Sequence, residues 1–209
     1  AAGKTLLYRE PPHYITLGKE LPAKALDEIL TDHAEVFTEL KEYYKQTSES
    51  ETTKISFYED TYSLYNLYRF SHYYEEAYGK YIWLKSGASL VIEHTEAMTV
   101  IDVNTGSVLK KKKQEDTLFY QINREAAKEI ARQLRLRNIS GIIMIDFINM
   151  KDTAQKEKLL SLLDSECKKD RVHCNVIDMT ALNLVEMTRN KVRKPLHEQI
   201  RSCMKNNRS

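Results

Sequence analysis

Between residues 97 and 169 the chain switches repeatedly between the two periodicities that let a polypeptide bury one face. That switching constrains the fold more than any other feature. "AMTVIDVN" (97–104) alternates apolar and other side chains, as a strand does. In "EDTLFYQINREAAKEIARQLRLR" (115–137), Ile122, Ala126, Ile130 and Leu134 recur every fourth residue with Ala127 and Ala131 beside them. This predicts a long amphipathic helix, with its stop signal in Asn138 to Gly141. "GIIMIDFINM" (141–150) is a near-continuous apolar run, the mark of a strand buried on both faces. A second helix is expected over about Asp152 to Lys169, through Leu159, Leu160, Leu162 and Leu163. "HCNVIDM" then reads as a third core strand and "ALNLVEMTRNKVR" as a last helix. Strand, helix, strand, helix, strand, helix predicts an α/β layer with right-handed crossovers and largely parallel strands.

Upstream the signals are of other kinds. "LPAKALDEILTDHAEVFTELKEYYKQ" has helical spacing through Ala25, Ile29, Val36, Phe37 and Leu40, so residues 1–48 read as a connecting helical region. "TSESETT" is a polar loop, "KISFY" a short strand, and "SLYNLYRFSHYYEEAYGK" an aromatic-rich helix through Leu64, Leu67, Tyr68, Tyr74 and Tyr78. "YIWLKSGASLVIEH" and "AMTVIDVN" are β-rich and separated by Thr95 and Glu96, which suits a hairpin. Charge divides the chain in the same way. Residues 1–100 carry 10 Lys/Arg against 16 Asp/Glu, a net −6, and residues 101–209 carry 22 against 14, a net +8. Twelve of the 13 tyrosines lie at or before Tyr81. The basic half is the one expected to meet a polyanion.

Other classes are excluded more simply. No apolar run approaches the roughly 18 residues of a membrane span. The opening "AAGKTLLYREPPHY" has no apolar h-region, so a cytoplasmic protein is expected. Cys167, Cys174 and Cys203 form no CxxC pair, and His94, His173 and His197 are far apart in sequence, so no zinc site is expected. Cys167 and Cys174 read as core thiols. No Walker loop, GxGxxG or GxSxG motif occurs.

The informative chemistry is a pair of acids on two apolar strands. Alternation puts Met98, Val100, Asp102 and Asn104 on one face, and Asp146 stands between Ile145 and Phe147, late in its run. If the two strands share one βαβ unit, both acids reach the carboxyl edge of the sheet, where open α/β sheets bind ligands. A lone carboxylate among Val, Ile and Phe is costly, and two close together drive one to take up a proton. A divalent cation removes both problems. Oxygen ligands without His or Cys favour Mg²⁺, with Mn²⁺ as a substitute, over zinc. That points to phosphoryl transfer or phosphodiester hydrolysis. The plainer reading, that each Asp caps a turn at a strand end, stays open here.

Basic residues surround these acids in sequence. Lys110, Lys111, Lys112 and Lys113 lie between Asn104 and the long helix, Arg132, Arg135 and Arg137 on that helix, and Arg189, Lys191, Arg193 and Lys194 near the last one. Lys110–Lys113, Arg132, Arg135 and Arg189 are the candidate nucleic-acid-binding residues, the alternative being solvated helix faces.

"SGASLVIEHTEAMTVIDVNTG", "REAAKEIARQLRLRNISGIIMIDFINM" and "TALNLVEMTRNKVR" resemble, in order and spacing, the ribonuclease E/G family of bacterial-type endoribonucleases. The resemblance covers about residues 50–195, with weaker similarity upstream. It implies a DNase I-like catalytic subdomain at 85–195, with mixed, largely parallel core strands, following an RNase H-like piece at 49–84. The connecting region at 1–48 and a polar tail at 196–209 complete the expected organisation. By resemblance Asp102 and Asp146 are the two Mg²⁺-binding aspartates, and Asn104 orients the site. The implied reaction is hydrolysis of single-stranded RNA to 5′-phosphate and 3′-hydroxyl ends, in RNA decay and in ribosomal and transfer RNA maturation.

Three departures bear on this. The family's OB-fold RNA-binding domain and its pocket for an RNA 5′-monophosphate are not in these 209 residues. The tail "RSCMKNNRS" has Cys203 alone where the family has CPxCxGxG, so a zinc-linked homo-oligomer is in doubt. Asn149 stands where the family usually has Asp, and little effect on the metal is expected. Two principal readings remain: a Mg²⁺-dependent endoribonuclease core, or a non-catalytic RNA-binding or scaffold remnant lacking the OB-fold domain. A phosphodiesterase acting on DNA is a third.

Overall fold

The computed structural model describes residues 12–20, 26–46, 53–106 and 115–206. The chain divides into two compact units, residues 1–71 and 72–209.

In the first unit, α1 (His13–Glu20) is followed by β1 (Glu28–Thr31), α2 (Ala34–Lys45) and β2 (Lys54–Phe57). β1 and β2 pair in parallel, Ile29 opposite Ile55. Ile15, Leu40 and Tyr44 form a small buried cluster with Ile29 and Ile55 packed against it. The helical spacing expected through Ile29 is therefore corrected, while Ala25 lies outside the described residues. Ile29 lies in a strand, and Ala34–Lys45 is helical as expected. The aromatic-rich segment also differs from one helix. It breaks into α3 (Leu64–Leu67), capped by the Ser63 side chain accepting from the Asn66 amide, and α4 (Phe70–Tyr78), with Arg69 at φ +51° between them.

The second unit is built on a six-stranded sheet. Its strands are β3 (Tyr81–Trp83), β4 (Ser89–His94), β5 (Met98–Asn104), β6 (Gly141–Asp146), β7 (Cys174–Met179) and β8 (Leu184–Arg189). Their order across the sheet is β3-β4-β5-β6-β8-β7. The β4–β5 hairpin forms as the sequence predicts, turning at Thr95, whose hydroxyl donates to the Met98 carbonyl. Within this sheet only β5 and β6 are parallel, joined by α5 (Glu115–Leu136), and every other pair is antiparallel. A mixed α/β fold is thus present, but the expectation of largely parallel strands is corrected. The cause is local. "ALNLVEMTRNKVR" is not a last helix: Thr180 to Leu184 makes a tight turn with Asn183 at φ +64°, and β8 returns as a strand beside β6. This moves β7 to the sheet edge, where Asn175, Ile177 and Asp178 are exposed, so it is not a core strand. α7 (Leu196–Asn206) is helical where a polar tail is expected.

Alternation decides which face is covered. Ile82, Leu90, Ile101, Val103, Ile143, Ile145, Val185 and Met187 point one way. They are buried in one cluster with Ala126, Ile130 and Leu134 of α5 and Leu159 and Leu163 of α6 (Thr153–Cys167). The intervening residues face the other side and are half-buried or exposed, apart from Ser89, which is buried. Met144 and Ile142 are among them, with Ile142 at 49% exposure. β6 is consequently buried on one face, not on both as its apolar run suggests. α5 ends where the sequence signals it, with Asn138 at φ +48°. α6 starts on Asp152, whose carboxylate accepts from the Ala154 amide at 2.9 Å. The last helix brings together two histidines that sequence separates: His94 of β4 and His197 of α7 stack with ring centroids 3.8 Å apart.

Candidate active site

The parallel pairing of β5 and β6 runs in register from Met98 with Ile142 to Asp102 with Asp146. The two acids are therefore direct neighbours across one strand spacing, about 5 Å, at the end of the ladder. Both lie on the face opposite the helices. Asp102 is half-buried and Asp146 exposed. Asn104, two residues beyond Asp102 and on the same face, donates from Nδ2 to Asp102 Oδ2 at 2.7 Å. Burial, and then the Asp102 charge beside it, hold the Asp146 carboxyl above its ordinary range. Two like charges kept this close, with one carboxylate already oriented by an amide, form a cradle of hard oxygen ligands for a divalent cation.

Among the described residues no group of three or more His, Cys, Asp or Glu could hold a metal ion. Two carboxylates suit Mg²⁺, which usually keeps several waters and draws its remaining ligands from substrate phosphate.

The surroundings of the pair were only partly legible in sequence. On β8, Leu184 lies opposite Asp146 and Glu186 opposite Met144, and Asp178 of β7 lies opposite Glu186. These two acids extend the same face, and reading β8 as a helix hides them. On the other side, Asp102 is paired with Val91, and Val91 with Tyr81. Asn104 is paired with Ser89, and Ser89 with Trp83. A cavity of about 460 Å³ is lined by Asp116, Phe119, Asn149, Met150, Lys151 and Asn183. It includes Asn149 but neither of the paired aspartates.

The basic candidates divide. Lys110, Lys111, Lys112 and Lys113 lie outside the described residues. Arg132 is ion-paired to Glu76 and to Glu129, and Arg135 reaches the Glu166 carbonyl at 3.4 Å from an exposed position. Arg137 is buried, donating to Gln133 and to the Glu76 carbonyl, and burial lowers its guanidinium to about 10. Arg189 has a side chain only 3% exposed and is ion-paired to Asp170 at 2.9 Å. Both Arg137 and Arg189 are therefore turned inward, away from any polyanion. The Cys167 thiol is buried and Cys174 half-buried, as core thiols would be.

One glycine holds the site in place. Gly106, two residues past Asn104, has φ +57°, and a Cβ there would stand 2.6 Å from the Gly87 carbonyl oxygen. The chain leaving β5 thus touches the β3–β4 turn backbone to backbone. Gly106→Ala is expected to cost about 1–3 kcal/mol in thermal unfolding, because it meets both the left-handed backbone and the carbonyl. A melt unchanged from the parent would show that the turn gives way freely.

A family model described as Ribonuclease E/G family matches residues 1–192. The chain is 37% identical over 193 residues to Ribonuclease G of Haemophilus influenzae, which covers 92% of this chain and 39% of that protein. It is 38% identical over 171 residues to Ribonuclease G of Escherichia coli K12, covering 82% of this chain and 35% of that protein. It is 32% identical over 196 residues to Ribonuclease E of Nostoc sp., covering 92% and 28%. The chain spans less than two-fifths of the length of these relatives.

Proposed function

The chain belongs to the ribonuclease E/G family, and on that premise we propose that it carries the catalytic centre of a Mg²⁺-dependent endoribonuclease. The substrate is single-stranded RNA, and the reaction is phosphodiester hydrolysis in RNA processing and decay. The observation that carries this reading is the register pair Asp102–Asp146, with Asn104 hydrogen-bonded to Asp102.

Asp102 and Asp146 would hold the metal ion. When bound, Mg²⁺ supplies a Lewis acid for the phosphate and lowers the pKa of a water for in-line attack. The chain's own residues do the rest. The amide of Asn104 fixes one oxygen of Asp102, so the carboxylate is oriented before substrate arrives. Paired strands backed by the helix-packed core keep the two acids at constant separation, as a preorganised site requires. The finer fold reading goes with the proposal: a DNase I-like catalytic subdomain after an RNase H-like piece. So do action in the cytoplasm and assembly into a homo-oligomer.

The test is cleavage of an end-labelled, A/U-rich single-stranded RNA. Cleavage is expected with millimolar Mg²⁺ or Mn²⁺, to stop on adding EDTA, and to return with excess Mg²⁺. Cleavage that persists in EDTA sinks the metal role. A folded protein that binds RNA in a salt-sensitive way and never cuts it would make the chain a non-catalytic RNA-binding module. A DNA strand of the same sequence cut equally well would shift the substrate to DNA.

A further inference from the structure

The face that carries the two acids continues, two strands away, into an exposed aromatic pair. Trp83 and Tyr81 lie on β3 and are 73% and 59% exposed, while Ile82 between them is buried in the core. Alternation therefore turns both rings to the side opposite the helices, the side of Asp102, Asn104 and Asp146. Register makes the relation specific. Tyr81, Val91, Asp102 and Asp146 form one row across the sheet, and Trp83, Ser89 and Asn104 the next. Two strand spacings, about 10 Å, separate the aromatic pair from Asp102 and Asn104. Within the sheet, among the described residues, Val91 and Ser89 stand between them.

An exposed indole with a second exposed aromatic ring beside it offers flat π-faces on which a planar group can stack. The position identifies that group's chemistry. A phosphate held at the acid pair brings its flanking nucleotide over Val91 and Ser89, with the base over β3. Exposed Lys85 follows the strand with positive charge, and Lys80, ion-paired to Glu93, sets its ammonium 5.7 Å from the Tyr81 ring centroid. Aromatic faces beside basic residues are how proteins hold unpaired bases, and a base in a duplex could not reach them.

We propose that Trp83, assisted by Tyr81, is a base-stacking subsite that holds the nucleotide next to the phosphate bound at Asp102 and Asp146. This rests on the endoribonuclease reading and adds to it a reason for single-strand preference. Stacking needs a splayed base of any identity, so the subsite selects strandedness more than sequence.

The chain contains a single tryptophan, so its fluorescence reports on Trp83 alone. The full chain is titrated in Mg²⁺, on a timescale shorter than cleavage, with a short A/U-rich RNA, while anisotropy of a label on the RNA is followed in parallel. Saturable quenching with the anisotropy midpoint is expected, and an abasic nucleotide at one position should abolish it. Trp83→Ala should weaken binding, and raise KM in Mg²⁺, by about 5- to 150-fold, with Trp83→Phe recovering most of the loss. Emission unchanged at saturating RNA overturns the subsite, as does Trp83→Ala binding within twofold of the parent. Emission that changes with protein concentration instead of RNA would make β3 a contact between copies, and would overturn it too. The two readings fail separately. Cleavage without quenching removes the subsite and leaves the nuclease, whereas quenching without Mg²⁺-dependent cleavage does the reverse.

Discussion

Asp146→Asn is expected to lower kcat/KM for single-stranded RNA by about a thousandfold, and Asp102→Asn by a similar factor. Each change removes one of two anionic metal ligands. Losing metal-dependent charge stabilisation worth about 4 kcal/mol corresponds to three powers of ten in rate. Because an amide still offers one oxygen, part of the loss should return at high Mg²⁺, and the midpoint of the Mg²⁺ titration should rise. Stability without metal is expected to move the other way. Burial and the charge of Asp102 raise the Asp146 carboxyl above its ordinary value. A group whose folded pKa is raised favours the fold below its unfolded pKa, and that contribution disappears as pH rises through its folded pKa. At neutral pH the charged pair therefore strains the metal-free protein. Asp146→Asn should raise its melting temperature, by on the order of 1–2 °C, because the group is partly exposed and screened. The difference should shrink toward zero below the ordinary carboxylate range, where Asp146 is neutral in both states. Calorimetry in EDTA at acid and neutral pH measures it. A variant that cuts as well as the parent would remove Asp146 from the site.

The second large effect concerns Arg189, one of the basic residues expected from sequence to meet RNA. Its Nε is paired to Asp170 at 2.9 Å, and NH1 donates to Asn138 Oδ1 at 2.9 Å and to the Ile139 carbonyl at 3.0 Å. Arg189 thus ties β8 to the turn after α5 and to the loop before β7. Arg189→Ala would strand the Asp170 carboxylate, whose side chain is only 7% exposed. The expected loss is about 3–5 kcal/mol, or roughly 6–20 °C in melting temperature. Arg189→Met combined with Asp170→Asn should recover the larger part, because no charge is then left buried. The asparagine also keeps an acceptor for the Val172 amide, which now donates to Asp170 at 2.9 Å. The same pair of variants tests the RNA role. A phosphate contact would reduce the salt dependence of KM by about one ion. The double variant, assayed where it is folded, should show none of that.

Much of the candidate site follows from local periodicity. Alternation alone puts Asp102 and Asn104 on one face, and the apolar run around Asp146 marks a strand. α5 is equally plain, because its four-residue spacing holds from Ile122 to Leu134, about three turns. The misreadings fall where the signal is short or depends on distant partners. β8 shows Val185, Met187 and Arg189 inward with Glu186 between them, but six residues do not separate a strand from a helix turn. That error carried two others with it: a largely parallel sheet, and a face lacking Glu186 and Asp178. Arg189 and Arg137 read as surface cations because nothing in their neighbourhood announces the acceptors that bury them. Trp83 stands in a segment that reads as β-rich, yet only pairing through β4 lines it up with Asn104.

By itself the sequence determined which stretches are strands and helices over most of 81–169, and which side chains of each share a face. Backbone sterics and side-chain period decide those things within a few residues. Only the tertiary structure decided that β5 and β6 are parallel neighbours with Asp102 opposite Asp146, and that β8 inserts between β6 and β7. It alone decided that Arg189 closes on an aspartate 19 residues away. Those choices depend on which surfaces exclude water together, and on which buried charge finds its opposite. Neither is a property of any one segment.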